Sequence, residues 1–167
     1  MKTFDQLDER DAPNIHRMLN DEETKIRSIL LNRMIQSSGA VDPSEIAPEA
    51  NDAGINVSSA LKGLKDKGLT ATQDDGSVTG VYPFSALPTN HRVQFDNRKS
   101  VYAMCAIDSL GIAYELEKDV AISSSCSHCK RHISIEIVKG RVSMVEPETT
   151  LALHVSLSAY KDWANTC

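Results

Sequence analysis

The sequence predicts an α+β protein in which a helical, winged-helix-like region precedes a small mixed or antiparallel sheet. Three observations carry that prediction. Apolar residues recur at helical spacing through the first half, short runs of alternating hydrophobicity follow in the second, and the turn Asp74-Asp75-Gly76 marks the change between them. The chain has 167 residues, 41% of them hydrophobic, with a formal net charge of -5. That length supports one large or two small cores without disulfides. We place the division between residues 1–82, the helical part, and residues 83–167, the core that carries the chemistry.

The elements follow in order. Over residues 22–36, Ile26, Ile29, Leu30 and Met34 share one helical face, and Gly39 is the expected stop. Asp42-Pro43 reads as an N-cap with proline in the first turn of a short helix that breaks near Asn51 and Gly54. Asn56 caps a third helix with Val57, Ala60, Leu61 and Leu64 on one face, ending at Gly68. Residues 70–82 form a hairpin whose turn is rich in residues tolerant of positive φ. Pro83 and Pro88 bracket a connector, and residues 92–95 form a short strand. Residues 101–110 are expected to be helical, capped by Asp96 or Asn97 and stopped by Gly111. Strands are expected at residues 120–123, 132–138 and 151–157, with a short helix or loop to the end.

Composition narrows the function. No stretch approaches the roughly 20 consecutive apolar residues of a membrane span, and the opening MKTFDQLDERD is too polar for a secretory signal. A cytoplasmic protein with no membrane partner is expected. The acidic balance argues against salt-driven binding to nucleic acid. Lys62, Lys65 and Lys67 on the third helix fit the solvated face of an amphipathic helix better than a DNA-reading surface.

In such a setting the four cysteines, Cys105, Cys126, Cys129 and Cys167, are expected to be working thiols rather than disulfides. Cys105 and Asp108 lie three residues apart, which on a helix puts thiol and carboxylate on one face about a turn apart. The string Val101-Tyr-Ala-Met-Cys-Ala-Ile-Asp-Ser-Leu-Gly-Ile112, followed by Ser123-Ser-Ser-Cys126 and later by Trp163 and Cys167, resembles the organomercurial (alkylmercury) lyase family over residues 81–167. The resemblance implies a winged-helix-like region ahead of a catalytic core, Cys105 and Cys167 as catalytic cysteines and mercury ligands, Asp108 as catalytic aspartate, and Cys126 as a structural cysteine. It also implies cleavage of a carbon–mercury bond to a hydrocarbon and Hg(II). Cellular thiols or a mercuric reductase would take the metal, and no cofactor is required.

The chemistry suits these residue types. Mercury is a soft cation and thiolate the softest anionic ligand a protein offers. A thiol with an ordinary pKa of about 8.5 must lose its proton to bind, and a neighbouring carboxylate shielded from water can receive it and later deliver it to carbon. In one respect the sequence departs from the resemblance: family chains usually continue past the second catalytic cysteine, whereas Cys167 is the last residue here, as in a C-terminally shortened member. Cys126-Ser-His-Cys129, with His128 and His132 nearby, is half of a zinc pattern. A complete site would draw on His132 and Cys105 or Cys167. The other reading of this pair is a buried Cys126 with a half-exposed Cys129 at a turn. Two alternatives to the enzyme therefore stand: a non-catalytic, lyase-like metal-binding or metal-sensing protein built on Cys126 and Cys129, and a metal-responsive DNA-binding regulator. His16, His91 and His154 have no partner at ligand spacing and are expected to be surface or core residues. Tyr102 and Trp163 are candidates to line an apolar pocket, with core packing the commoner role.

Overall fold

In the computed structural model, residues 15–96 and 98–153 are described. Helix α1, Asp21–Ser37, opens with a capping box. Asn20 Oδ1 accepts the Glu23 N–H at 2.8 Å, and the Asn20 N–H donates to Glu23 Oε2 at 2.8 Å. Ile26, Leu30 and Met34, spaced four apart, are buried. The helix runs one residue past the expected end, and the left-handed stop is Ser38, at φ 54°, and not Gly39. Helix α2, Pro43–Asp52, starts at the expected cap, with Asp42 accepting the Ser44 N–H at 2.8 Å. Helix α3, Val57–Asp66, starts at Asn56, which accepts the Ser59 N–H at 3.0 Å. Strands β1, Thr70–Thr72, and β2, Val78–Val81, form the hairpin, and Gly76 supplies its positive φ of 85°. Val41, between α1 and α2, bridges to Val78 and ties the helices to it.

The chain continues through β3 (Phe84–Ser85), β4 (His91–Phe95), β5 (Ser100–Ala103), α4 (Ala106–Glu115), β6 (Val120–Ser125), β7 (His132–Val138) and β8 (Arg141–Glu146). All eight strands lie in one sheet of order β1-β2-β3-β5-β4-β6-β7-β8. Every neighbouring pair is antiparallel, so the sheet is antiparallel throughout and not mixed. It continues across residues 82 and 83 through the pairing of β2 with β3. The architecture is α+β.

Three expectations change. Residues 101–110 are not one helix: β5 ends at Ala103, and Cys105 is the N-cap of α4 instead of an interior position. Val101, Met104 and Ile107 have helical spacing, yet Val101 and Ala103 also share one face of a strand and are both buried. Pairing of β5 with both β3 and β4 decides between the two periods. Gly111 does not stop α4, which runs on to Glu115; a Cβ at Gly111 would meet nothing within 4 Å. The strand expected over 151–157 is absent from residues 151–153, and the remainder lies outside the described residues. Instead β8, which the sequence pattern did not reveal, pairs with β7, and β3 occupies the connector after Pro83.

This topology fixes the place of α4. It joins β5 to β6 across the intervening β4 and packs against all three. Arg27, 5% exposed, holds it from the other side. Its Nε and Nη2 donate to the Tyr82 carbonyl at 3.2 and 2.9 Å, and its Nη1 pairs with Glu115 Oε1 at 2.7 Å, at the end of α4. The α3 lysines are engaged within the chain: Lys67 with the buried Glu23, Lys62 with Asp66 at 2.6 Å, and Lys65 with Thr72 Oγ1 at 3.3 Å. No helix among the described residues is long and apolar enough to cross a membrane.

Candidate active site

The first turn of α4 brings Cys105 and Asp108 together. Cys105 has extended backbone angles, φ -143° and ψ 178°, and its carbonyl accepts the Ser109 N–H at 3.0 Å. Its Sγ accepts the Asp108 N–H at 3.5 Å, the bond an oxygen makes at an ordinary N-cap. One of the unpaired N–H groups of the first turn is thus answered by sulfur. Asp108 is only 3% exposed and Ser109 is also buried, on the face of α4 that carries Ile112 and Ala113 into the core.

His91 stands across from this turn. Its Nδ1 lies 2.9 Å from Ser124 Oγ, and the two residues are cross-strand partners on β4 and β6. Burial pushes the His91 imidazole below its ordinary range, while the Asp108 carboxylate acts in the opposite direction. A cavity of about 260 Å³ opens beside these groups. Ala106, Ser109 and Leu110 of α4 line one side, Ser124 and Cys126 another, and residues 150–153 complete it. Its apolar wall includes Leu110, Ile133 and Ile135, whereas Tyr102 is not among its lining residues.

Cys126 and Cys129 sit on the turn that joins β6 to β7. The turn closes through Cys126 N–H to the Arg131 carbonyl at 2.9 Å and Lys130 N–H to the Cys126 carbonyl at 3.0 Å, with Lys130 at φ 59°. This turn sets the backbone of His128 and Cys129, and the Cys129 thiol, near the Cys126 sulfur. The Cys129 and His128 backbone N–H groups, then the Cys129 thiol and Lys130, hold the Cys126 thiol below its usual range. Cys126 is partly buried rather than buried, and Cys129 is exposed. His132 Nε2 turns to Ser134 Oγ at 3.0 Å. Among the described residues no group of three or more His, Cys, Asp or Glu side chains could hold a metal ion, so the four ligands of a structural zinc site are not assembled there.

The first turn of α4 carries a capping thiol and a buried carboxyl. The family model for alkylmercury lyase matches residues 84–167, half of the chain. The chain belongs to the alkylmercury lyase family. It is 30% identical over 121 residues to an alkylmercury lyase of Staphylococcus epidermidis, an alignment covering 72% of this chain and 54% of that one. The crystal structure of the mercury-bound form of MerB2 is similar with a TM-score of 0.62 at 26% sequence identity, over 78% of this chain and 62% of that chain. The chain thus spans about half the length of the curated relative it matches.

Of the residues assigned to an alkylmercury lyase site by resemblance, Cys105 and Asp108 stand together as cap and first turn of α4. Cys167 and Trp163 lie outside the described residues, as do His154 and the side chain of His16. His91 is the residue that sequence reasoning passes over. It has no partner at ligand spacing because its partner, Ser124, is 33 residues away and reaches it only through the β4–β6 register. No local signal marks such a pair.

Proposed function

We propose that this chain is an organomercurial lyase that cleaves carbon–mercury bonds by protonolysis, releasing a hydrocarbon and Hg(II). The observation that carries the proposal is the first turn of α4, where the Cys105 thiol caps the helix and the Asp108 carboxyl is buried three residues on. The family membership, and the mercury-bound state of the related MerB2 structure, support mercury as the metal handled.

In this reading the Cys105 thiol gives its proton to the Asp108 carboxylate and its sulfur takes the mercury of an organomercurial. A second thiolate, assigned to Cys167 by resemblance, joins the metal and pushes electron density onto the carbon ligand. Asp108 then delivers the proton to that carbon as the carbon–mercury bond breaks. The carbon leaves as a hydrocarbon, mercury remains Hg(II), and no resident metal or organic cofactor takes part. Burial of Asp108 keeps its proton from exchanging with bulk water during the step. His91, within electrostatic reach of Asp108, belongs to the same site. The apolar wall of Leu110, Ile133 and Ile135 suits an alkyl or aryl group. Small thiols or a mercuric reductase in the cytoplasm would collect the metal. Helices α1 to α3 and the β1–β2 hairpin act as a winged-helix-like support for α4, and the internal pairing of Lys62, Lys65 and Lys67 speaks against a role in reading DNA.

The test is single-turnover release of benzene from phenylmercury by the reduced chain in excess small thiol, with Cys105→Ala alongside. Benzene above the thiol-only background, lost in the variant, is the expected result. Equal release from both proteins, or none from either, would end the lyase reading.

A further inference from the structure

The β6–β7 turn holds two thiols that the proposed reaction does not use. Cys126 and Cys129 stand at Cys-x-x-Cys spacing on a loop closed by two backbone hydrogen bonds, Cys126 N–H to the Arg131 carbonyl and Lys130 N–H to the Cys126 carbonyl. Both cysteines are free. Cys126 also lines the cavity whose opposite side is Ala106, Ser109 and Leu110, the turn that begins at Cys105. We propose that Cys126 and Cys129 form a dithiol site for two-coordinate Hg(II), an on-board acceptor that collects the metal from the catalytic turn before it leaves the protein.

Coordination number selects the ion. Zinc asks for four ligands, and among the described residues no third His, Cys, Asp or Glu completes a group with this pair. Hg(II) is satisfied by two thiolates in a line, so the pair alone suffices. Cys129 is exposed, so its side chain has room to turn away from Cys126 and open the angle between the two sulfurs. Transfer is thiolate exchange. Each sulfur–mercury bond made to Cys126 or Cys129 releases one proton from that thiol. Each such bond broken at the catalytic turn returns one to the departing sulfur. Mercury stays Hg(II) throughout. The placement of the two sulfurs suits a relay. Cys126 faces the cavity and Cys129 faces solvent, so metal entering at one sulfur is accessible at the other to an outside thiol.

The acceptor role rests on the lyase reading; the site itself does not. The full chain carrying Cys105→Ser and Cys167→Ser keeps only these two thiols. Titrated with mercuric chloride against a competing monothiol, it should bind one Hg(II) per chain and lose both thiols to a thiol-counting reagent. Adding Cys129→Ser should weaken retention by about 100-fold, because the second ligand is no longer tethered. Cys129 is exposed, and matched circular dichroism of the two proteins shows that the change acts on binding and not on folding. Two Hg(II) per chain, or equal stripping by the monothiol with and without Cys129, overturns the site. For the transfer, the unaltered chain is digested after one phenylmercury turnover. Mercury on the peptide holding Cys126 and Cys129 supports the acceptor, and mercury confined to the Cys105 peptide overturns it. If no benzene forms at all, the acceptor role falls with the lyase reading while the titration still judges the site.

Discussion

Helices α1 and α4 start from the same plan: a capping side chain sits three residues ahead of a buried carboxyl, Asn20 before Glu23 and Cys105 before Asp108. In α1 every group is answered. An amide oxygen takes the helix N–H, Glu23 returns a bond to the cap, and Lys67 covers the remaining charge. Burial raises the Glu23 carboxyl, but the Lys67 ammonium and the Asn20 N–H outweigh it and hold the group below its ordinary range. In α4 the cap is a sulfur, a weaker acceptor at 3.5 Å, and the buried carboxyl faces a histidine that burial keeps toward its neutral form. Helices α1, α2 and α3 are all capped by Asn or Asp. At α4 alone among these four helices, a cysteine stands where the others use an oxygen cap.

The largest expected effect exploits that contrast directly. Cys105→Ser restores an oxygen cap, so α4 should hold or gain about 0.5–1 kcal/mol in urea unfolding, while hydrocarbon release falls to background. A variant that loses both stability and activity would place Cys105 among ordinary core residues. Next in size is Arg27→Met, which leaves the Tyr82 carbonyl and Glu115 without their shared partner and should cost about 2–4 kcal/mol. Its melting temperature should fall, and activity with it, since Arg27 supports the far end of α4.

Acid titration should separate the two helix starts. The Glu23 carboxyl is lower in the fold than its ordinary value of 4.5, so its contribution is fully present above that value and is lost as pH falls through the folded value. The His91 imidazole is lower than its ordinary value of 6.5, so the unfolded chain takes up its proton first, and stability begins to decline already as pH drops below 6.5. Glu23→Gln should flatten only the lower window and His91→Gln only the upper one; a shared window for both would contradict the assignment. The smallest effect is expected from Lys62→Ala, because its partner Asp66 and the lysine itself are largely exposed. A change within about 0.5 kcal/mol is expected for such a surface pair.

Local signals in the sequence are reliable where a single element decides them. The caps at Asp42 and Asn56, the helical face of Ile26, Leu30 and Met34, and the Gly76 turn all stand in the fold as the sequence implies. The Cys105–Asp108 pair is legible for the same reason, since a spacing of three survives whether the cysteine is the cap or an interior residue. Residues 100–103 mislead because Val101 and Ala103 fit a strand as well as Val101, Met104 and Ile107 fit a helix, and only pairing with β3 and β4 breaks the tie. His91 and the cavity depend on sheet register over tens of residues, which no window of sequence contains.

The central claim is that Asp108 carries the proton that ends on carbon. The direct measurement is a single turnover of phenylmercury by the reduced Asp108→Ala chain, following protein-bound mercury and benzene together. Mercury should still bind at Cys105 while benzene falls by about 100-fold or more, the scale of a lost general acid. Benzene released at the rate of the unaltered chain would contradict that role for Asp108.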